Sequence, residues 1–136
     1  MTMEADLLTR ANAVAGLSPL GGRIAWFERP RLCTPEFPAM VLTLVSPGRE
    51  WTHGGPDGLD RARVQMDFYG ESPDQLRALF LVWRAELETM PHVDVAGTRF
   101  HPAALDTQRD MPPEDLTDGT RIFRVSADFQ FFHEAL

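Results

Sequence analysis

The stretch Arg121 to Phe132 alternates with a period of two. Phe123, Val125, Ala127, Phe129 and Phe131 fall on one side; Arg124, Ser126, Asp128 and Gln130 fall on the other. Successive side chains of a strand point to opposite faces, so this pattern requires a sheet with one dry face and one wet face. A second stretch, Arg61 to Tyr69, sets Val64, Met66 and Phe68 against Arg63, Gln65, Asp67 and Tyr69 in the same way. A dry face needs a cover. The segment Pro73 to Met90 supplies one, with Leu76, Leu79, Phe80, Trp83, Leu87 and Met90 at helical spacing. Ser72 is placed to cap it, Pro73 suits the first helical position, Gln75 completes a capping-box pattern, and Pro91 prevents continuation.

The remaining elements are weaker. Met3 to Ala15 predicts a short helix, with Leu7, Ala11, Val14 and Ala15 near one face and Gly16 as its stop. Leu17 to Gly22 reads as a turn and Arg23 to Phe27 as a short strand. Pro30 to Pro38 reads as an irregular connection. Pro38 to Val45 is a near-continuous apolar run, which suits a central strand buried on both faces. Ser46 to Asp60, marked by Pro47-Gly48 and Gly54-Gly55-Pro56-Asp57-Gly58, reads as a long loop. Gly97 to Asp110 reads as extended, with a bend at Pro102, and Met111 to Gly119 as a loop rich in proline and acid.

The order is thus α-β-β-β-α-β-β. It predicts an α+β fold in one domain, residues 1–136: a single mixed or antiparallel twisted sheet with helices packed on it. A chain of 136 residues buries roughly two thirds of its unfolded surface, enough for a core without disulfides or metals. No stretch approaches the ~18 apolar residues of a membrane helix. The N-terminus has charges inside its apolar stretch and no basic leader, so synthesis is expected in the cytoplasm.

Composition removes several kinds of chemistry. Net charge is −7, whereas a duplex-DNA binder needs a basic footprint to replace counterions on phosphates. All thirteen basic residues are arginine. With no lysine there is no Walker-A lysine and no Schiff-base lysine. Cys33 is the sole cysteine, so an intrachain disulfide is impossible. His53, His92, His101 and His133 show no metal-ligand spacing. The acids Asp106, Asp110, Glu114, Asp115 and Asp118 lack the ligand rhythm of an EF-hand loop. Asp67 and Asp128 could face each other as a dyad, but Arg63 and Arg124 on the same faces favour salt bridges. No catalytic residue, metal or cofactor is therefore expected.

Two segments stand out as surfaces for partners. Arg49, Glu50, Trp51 and His53 sit in a polar, glycine-rich setting, where Trp51 either anchors a partner or folds back onto its own domain. Asp110, Glu114, Asp115 and Asp118 form the acidic stretch near the C-terminus.

The succession "GRIAWFERP", "FPAMVLTLVS", a glycine-rich loop, "RARVQMDFYG", "SPDQLRALFLVWRAEL" and "RIFRVSADFQFF" spans nearly the whole chain. It resembles the phage tail terminator proteins, also called tail-completion or head–tail joining proteins, found in prophages and gene transfer agents too. The match is one of segment order, not of an invariant signature. The resemblance implies a non-enzymatic virion protein that forms a homo-hexameric ring on the last ring of the tail tube. The ring would end tube polymerisation at the neck end of the tail and offer a face to the head connector. DNA would pass through its lumen without being specifically bound. Other readings are a small α+β enzyme or ligand-binding domain, which needs a cleft with convergent polar groups, and another neck or tail structural protein.

Overall fold

The computed structural model describes residues 3–27, 37–46, 49–52, 55–115 and 119–136. Its elements in chain order are helix α1 (Met3–Ala13), a 3-10 helix (Ala15–Leu20), strands β1 (Ile24–Trp26), β2 (Ala39–Ser46), β3 (Arg49–Thr52) and β4 (Gly55–Gly70), helix α2 (Pro73–Thr89), and strands β5 (Val93–Val95), β6 (Thr98–Phe100), β7 (Ala104–Asp115) and β8 (Arg121–Ala135). The α+β class read from the sequence holds. One curled, mixed sheet of eight strands carries the helices.

The two alternating stretches form the spine of that sheet. β4 and β8 pair antiparallel from Leu59 opposite Glu134 to Gly70 opposite Phe123. Beyond β4 lie β2 and β3, both antiparallel to it, and β1 pairs with β2 in parallel. Beyond β8 lie β7 along one stretch and β6 along the other, with β5 outside β6. β2 and β3 follow one another along the same side of β4, so β2, β3 and β4 make one long hairpin. Its tip, where Trp51 and Thr52 pair with Pro56 and Gly55, runs past the last residue that β8 pairs, Leu59. The tip is a two-stranded arm.

The dry face matches the alternation. Ala62, Val64, Met66 and Phe68 of β4, Val125, Ala127, Phe129 and Phe131 of β8, and Met40 and Leu42 of β2 are buried. Helix α2 lays Leu76, Leu79, Phe80, Trp83 and Leu87 over them. Burying one such side chain contributes about 1.5–3 kcal/mol. Phe80 meets Phe68 edge-on and Phe129 at a tilt, each at 6.2 Å between ring centres. The Trp83 indole N–H donates to Met66 Sδ at 2.7 Å, so burial leaves no orphan donor there. At the start of α2, the Gln75 backbone N–H donates to Ser72 Oγ at 3.3 Å, which is the expected cap. Just before it, a Cβ on Gly70 would stand 2.8 Å from Leu76 Cδ2, so a side chain there would have to displace the end of Leu76.

Several expectations fail for physical reasons. Ser46–Asp60 is not a loop: its described residues are strand, because backbone pairing along β4 outweighs a glycine- and proline-rich composition. Likewise 111–115 belong to β7. An edge strand tolerates Pro112 and Pro113 where the ladder is already broken, between Met111 and Glu114. The extended stretch 97–110 is divided, with β6 and β7 separated by residues 101–103. Helix α1 stops at Ala13, and the expected turn from Leu17 is a 3-10 helix instead. Met90 lies past the end of α2 and is 40% exposed, so it is not part of the buried stripe. β2 is buried on both faces only over Ala39–Leu42 and is exposed by Val45. Residues 28–36, which include Cys33, lie outside the described residues.

Candidate interaction surfaces

The two segments singled out by composition fall on opposite sides of the sheet. Arg49, Glu50 and Trp51 are in β3, on the far side of β4. Asp110, Glu114 and Asp115 are in β7, on the far side of β8. His53 and Asp118 lie outside the described residues, and of the arm only the backbone pairing is described. The structure therefore offers two separated edges, not one convergent site.

β7 is exposed along nearly its whole length. Its acids are not equivalent. Asp110 accepts from Arg77 of α2 at 3.1 Å, and Asp115 accepts from Arg121 across the hairpin at 3.0 Å. Glu114, opposite Ile122, makes no ion pair among the described residues. Arg109, opposite Ser126, is likewise exposed and without an ion pair among them. Exposed pairs of this kind contribute only about 0–1 kcal/mol, so the strand's charges remain available to a partner.

The wet face of the sheet is a network of fixed charges. Arg124 donates to Asp67 Oδ1 at 3.2 Å, Gln65 donates to Asp67 Oδ2 at 3.1 Å, and the Arg124 guanidinium also lies 5.5 Å from the Tyr69 ring centre. Arg63 sits 3.7 Å from Asp128 and 3.5 Å from Asp106, and Thr107 Oγ1 donates to Asp128 Oδ2 at 3.2 Å. The salt bridges expected in place of a carboxylate dyad are present. Asp67 is buried, though the alternation had placed it on the wetter side.

A third polar cluster escaped the sequence reading. Asp6 and Arg10 of α1 are buried. Thr98 Oγ1 donates to Asp6 Oδ2 at 2.6 Å. Arg10 donates through Nη2 to the Glu86 backbone carbonyl at 3.2 Å and lies 3.4 Å from the Glu86 carboxylate. Burial pulls the Arg10 guanidinium below its ordinary pKa, and Glu86 opposes that shift. Asp6 Oδ1 and Arg10 Nη1 are buried without hydrogen-bond partners among the described residues. An open depression of about 330 Å³ lies beside Arg10 and Glu86, walled by Val14, Val93 and Val95. The available signal was spacing: positions 6, 7, 10 and 11 share one helical face, and polar letters at two of them disguised it.

Among the described residues no three His, Cys, Asp or Glu side chains gather to hold a metal ion. His101 Nε2 lies 3.0 Å from Glu134 Oε1. His133 is buried beside Phe100, and desolvation lowers its pKa from 6.5 against the pull of Asp60 and Glu4. No described helix is long and apolar enough to cross a membrane.

The architecture defines the class: an α+β domain whose curled sheet is covered on one face by helices and in which, among the described residues, β3 and β7 each pair on one side only. No protein-family model and no curated protein sequence matches the chain. Among solved structures it is similar to a chain of the virion of a native gene transfer agent particle, with a TM-score of 0.64 and 12% identity. The likeness covers 97% of this chain and 94% of that one. At that identity it is a likeness of fold.

Proposed function

We propose that this protein is a structural component of a phage-like virion, and specifically the tail terminator. In this reading copies close into a hexameric ring at the neck end of the tail. The ring caps the tube protein, ends its polymerisation and presents a face to the head connector, while DNA passes through the lumen. The observation that carries the reading is the near end-to-end likeness of fold to a chain of a gene transfer agent virion. The segment order of the sequence supports the terminator role within that class. The surfaces fit it too. A closed ring needs two different faces that meet head to tail, and β3 and β7 lie on opposite sides of the sheet. A net charge of −7 suits a lumen that DNA traverses without being gripped. The protein acts by contact, not by chemistry, as a non-enzyme.

The test is deletion of the gene in a particle-producing cell, followed by negative-stain imaging. Overlong tails or tails without heads are expected. A complete absence of tails would assign the chain to the tube instead, and normal particles would remove it from tail completion altogether. Deleting residues 50–57 tests the arm separately: tails of normal length with heads attached would exclude it from the contacts.

A further inference from the structure

We infer that neighbouring copies join by strand addition, the β3 edge of one copy pairing antiparallel with the β7 edge of the next. The inference rests on the ring reading above and specifies how its subunits meet. Among the described residues β3 pairs only with β4, and β7 only with β8. Each therefore presents one row of backbone N–H and C=O groups that no described strand of the subunit takes up, which is a template for another chain.

Direction fits. β3, β4, β8 and β7 alternate in sense across the sheet, so β3 and β7 run oppositely. A rotation that carries one sheet onto the next preserves sense, and the neighbour's β3 then meets β7 antiparallel. The two edges differ, so the contact is head to tail and closes into a ring when the rotation does.

Regularity fits as well. β7 is interrupted between Leu105 and Thr107 and again between Met111 and Glu114, where the two prolines stand. Between these interruptions Thr107–Met111 runs in unbroken register with β8. In the arm the surplus residues lie on β4: Glu50 alone spans the gap that 57–59 span opposite it. β3 thus supplies an uninterrupted run of four residues, short enough for the five-residue window.

The sequence of the two edges selects a register. Setting Arg49 opposite Asp110 places Glu50 opposite Arg109, Trp51 opposite Gln108 and Thr52 opposite Thr107. In that register both charged positions are matched with a residue of opposite charge across the junction. Directly opposed like charges are destabilising, so a slip that aligns Arg49 with Arg109 is disfavoured. The exposed Arg109, without an ion pair among the described residues of its own subunit, gains one. Because the arm extends past the end of β8, successive sheets are staggered along the strands, as in a closed barrel.

The test uses particles assembled in the producing cell. Glu50→Arg and Arg109→Glu should each lower the yield of headed, normal-length tails about tenfold, since like charges meet at every junction. The double variant should restore it, and each purified variant should keep its thermal midpoint. In a Cys33→Ser background, Thr52→Cys with Thr107→Cys should give a ladder of oxidised oligomers from particles, ending at one closed species. Rings seen in images with neither rescue nor ladder would overturn strand pairing and leave the ring intact. A ladder that stops at two copies would overturn the head-to-tail arrangement. Normal tails lacking the protein would overturn the ring reading on which the inference stands.

Discussion

Helix α2 seats Leu76, Leu79, Phe80, Trp83 and Leu87 on the sheet, whereas α1 seats Leu7 and Ala11 together with Asp6 and Arg10. The two helices contribute to one core, but only α2 does so with side chains that gain simply by leaving water. In α1 each buried polar side chain is partly satisfied and leaves one atom, Asp6 Oδ1 or Arg10 Nη1, without a partner among the described residues. A buried, unsatisfied polar atom costs about 1–3 kcal/mol. Part of what α1 gains from Leu7 and Ala11 is therefore offset, and α1 should be the less firmly held of the two. Native-state hydrogen exchange tests this directly: α1 amides should open at a lower free energy than those of α2. Equal protection in both helices would break the comparison.

The largest effect should come from the apolar seat. Trp83 is fully buried between α2 and β4 and donates to Met66. Trp83→Ala should cost about 3–5 kcal/mol, read as a lower denaturation midpoint. The polar seat should respond less. Glu86→Ala removes the carboxylate beside the buried Arg10 and leaves the guanidinium with a backbone carbonyl. Because Glu86 is partly solvated, the expected loss is about 1–3 kcal/mol, below that of a fully buried pair. The exchange protection lost should concentrate in α1. Smaller still, Ser72→Ala removes the cap on Gln75 and should cost about 1 kcal/mol, felt at the first turn of α2.

The same contrast explains what could be read from the sequence. β4, β8 and α2 were legible because each sustains one period over many residues, and burial follows that period. α1 was legible as a helix but not as a polar seat, since Asp6 and Arg10 occupy positions that the pattern reserves for apolar residues. β5 and β6, three residues each, are too short to show any period. The arm and the second half of β7 were hidden by glycine, proline and acid, which usually signal loops. Both depend on backbone pairing with a neighbouring strand, and composition does not report backbone pairing. Of the charged residues, the arginine partners of Asp67 and Asp128 were foreseeable from alternation alone. The separate fates of Asp110, Glu114 and Asp115 were not, because they depend on α2 and on the hairpin partner.

Acid should sharpen the comparison further, with the smallest effect of the four. His133 pairs with Phe100 on β6, the short strand whose Thr98 bonds Asp6 of α1, so it lies at the end of the sheet nearest α1. Burial lowers its pKa from 6.5 in the folded protein; Asp60 of β4 and Glu4 of α1 oppose the shift without cancelling it. Below the unfolded value the unfolded chain binds more protons at this position than the native one, so stability falls as pH falls. The contribution is fully present above about pH 6.5 and is lost through the folded pKa beneath it. Between pH 7 and pH 5, α1 amides should therefore lose more protection than α2 amides. His133→Phe keeps the packing against Phe100 and removes the titrating group, so it should flatten that part of the pH profile. If acid loosened α2 first, or the Phe variant kept the same slope, the weaker seat of α1 could not be assigned to its polar groups and the histidine beneath them.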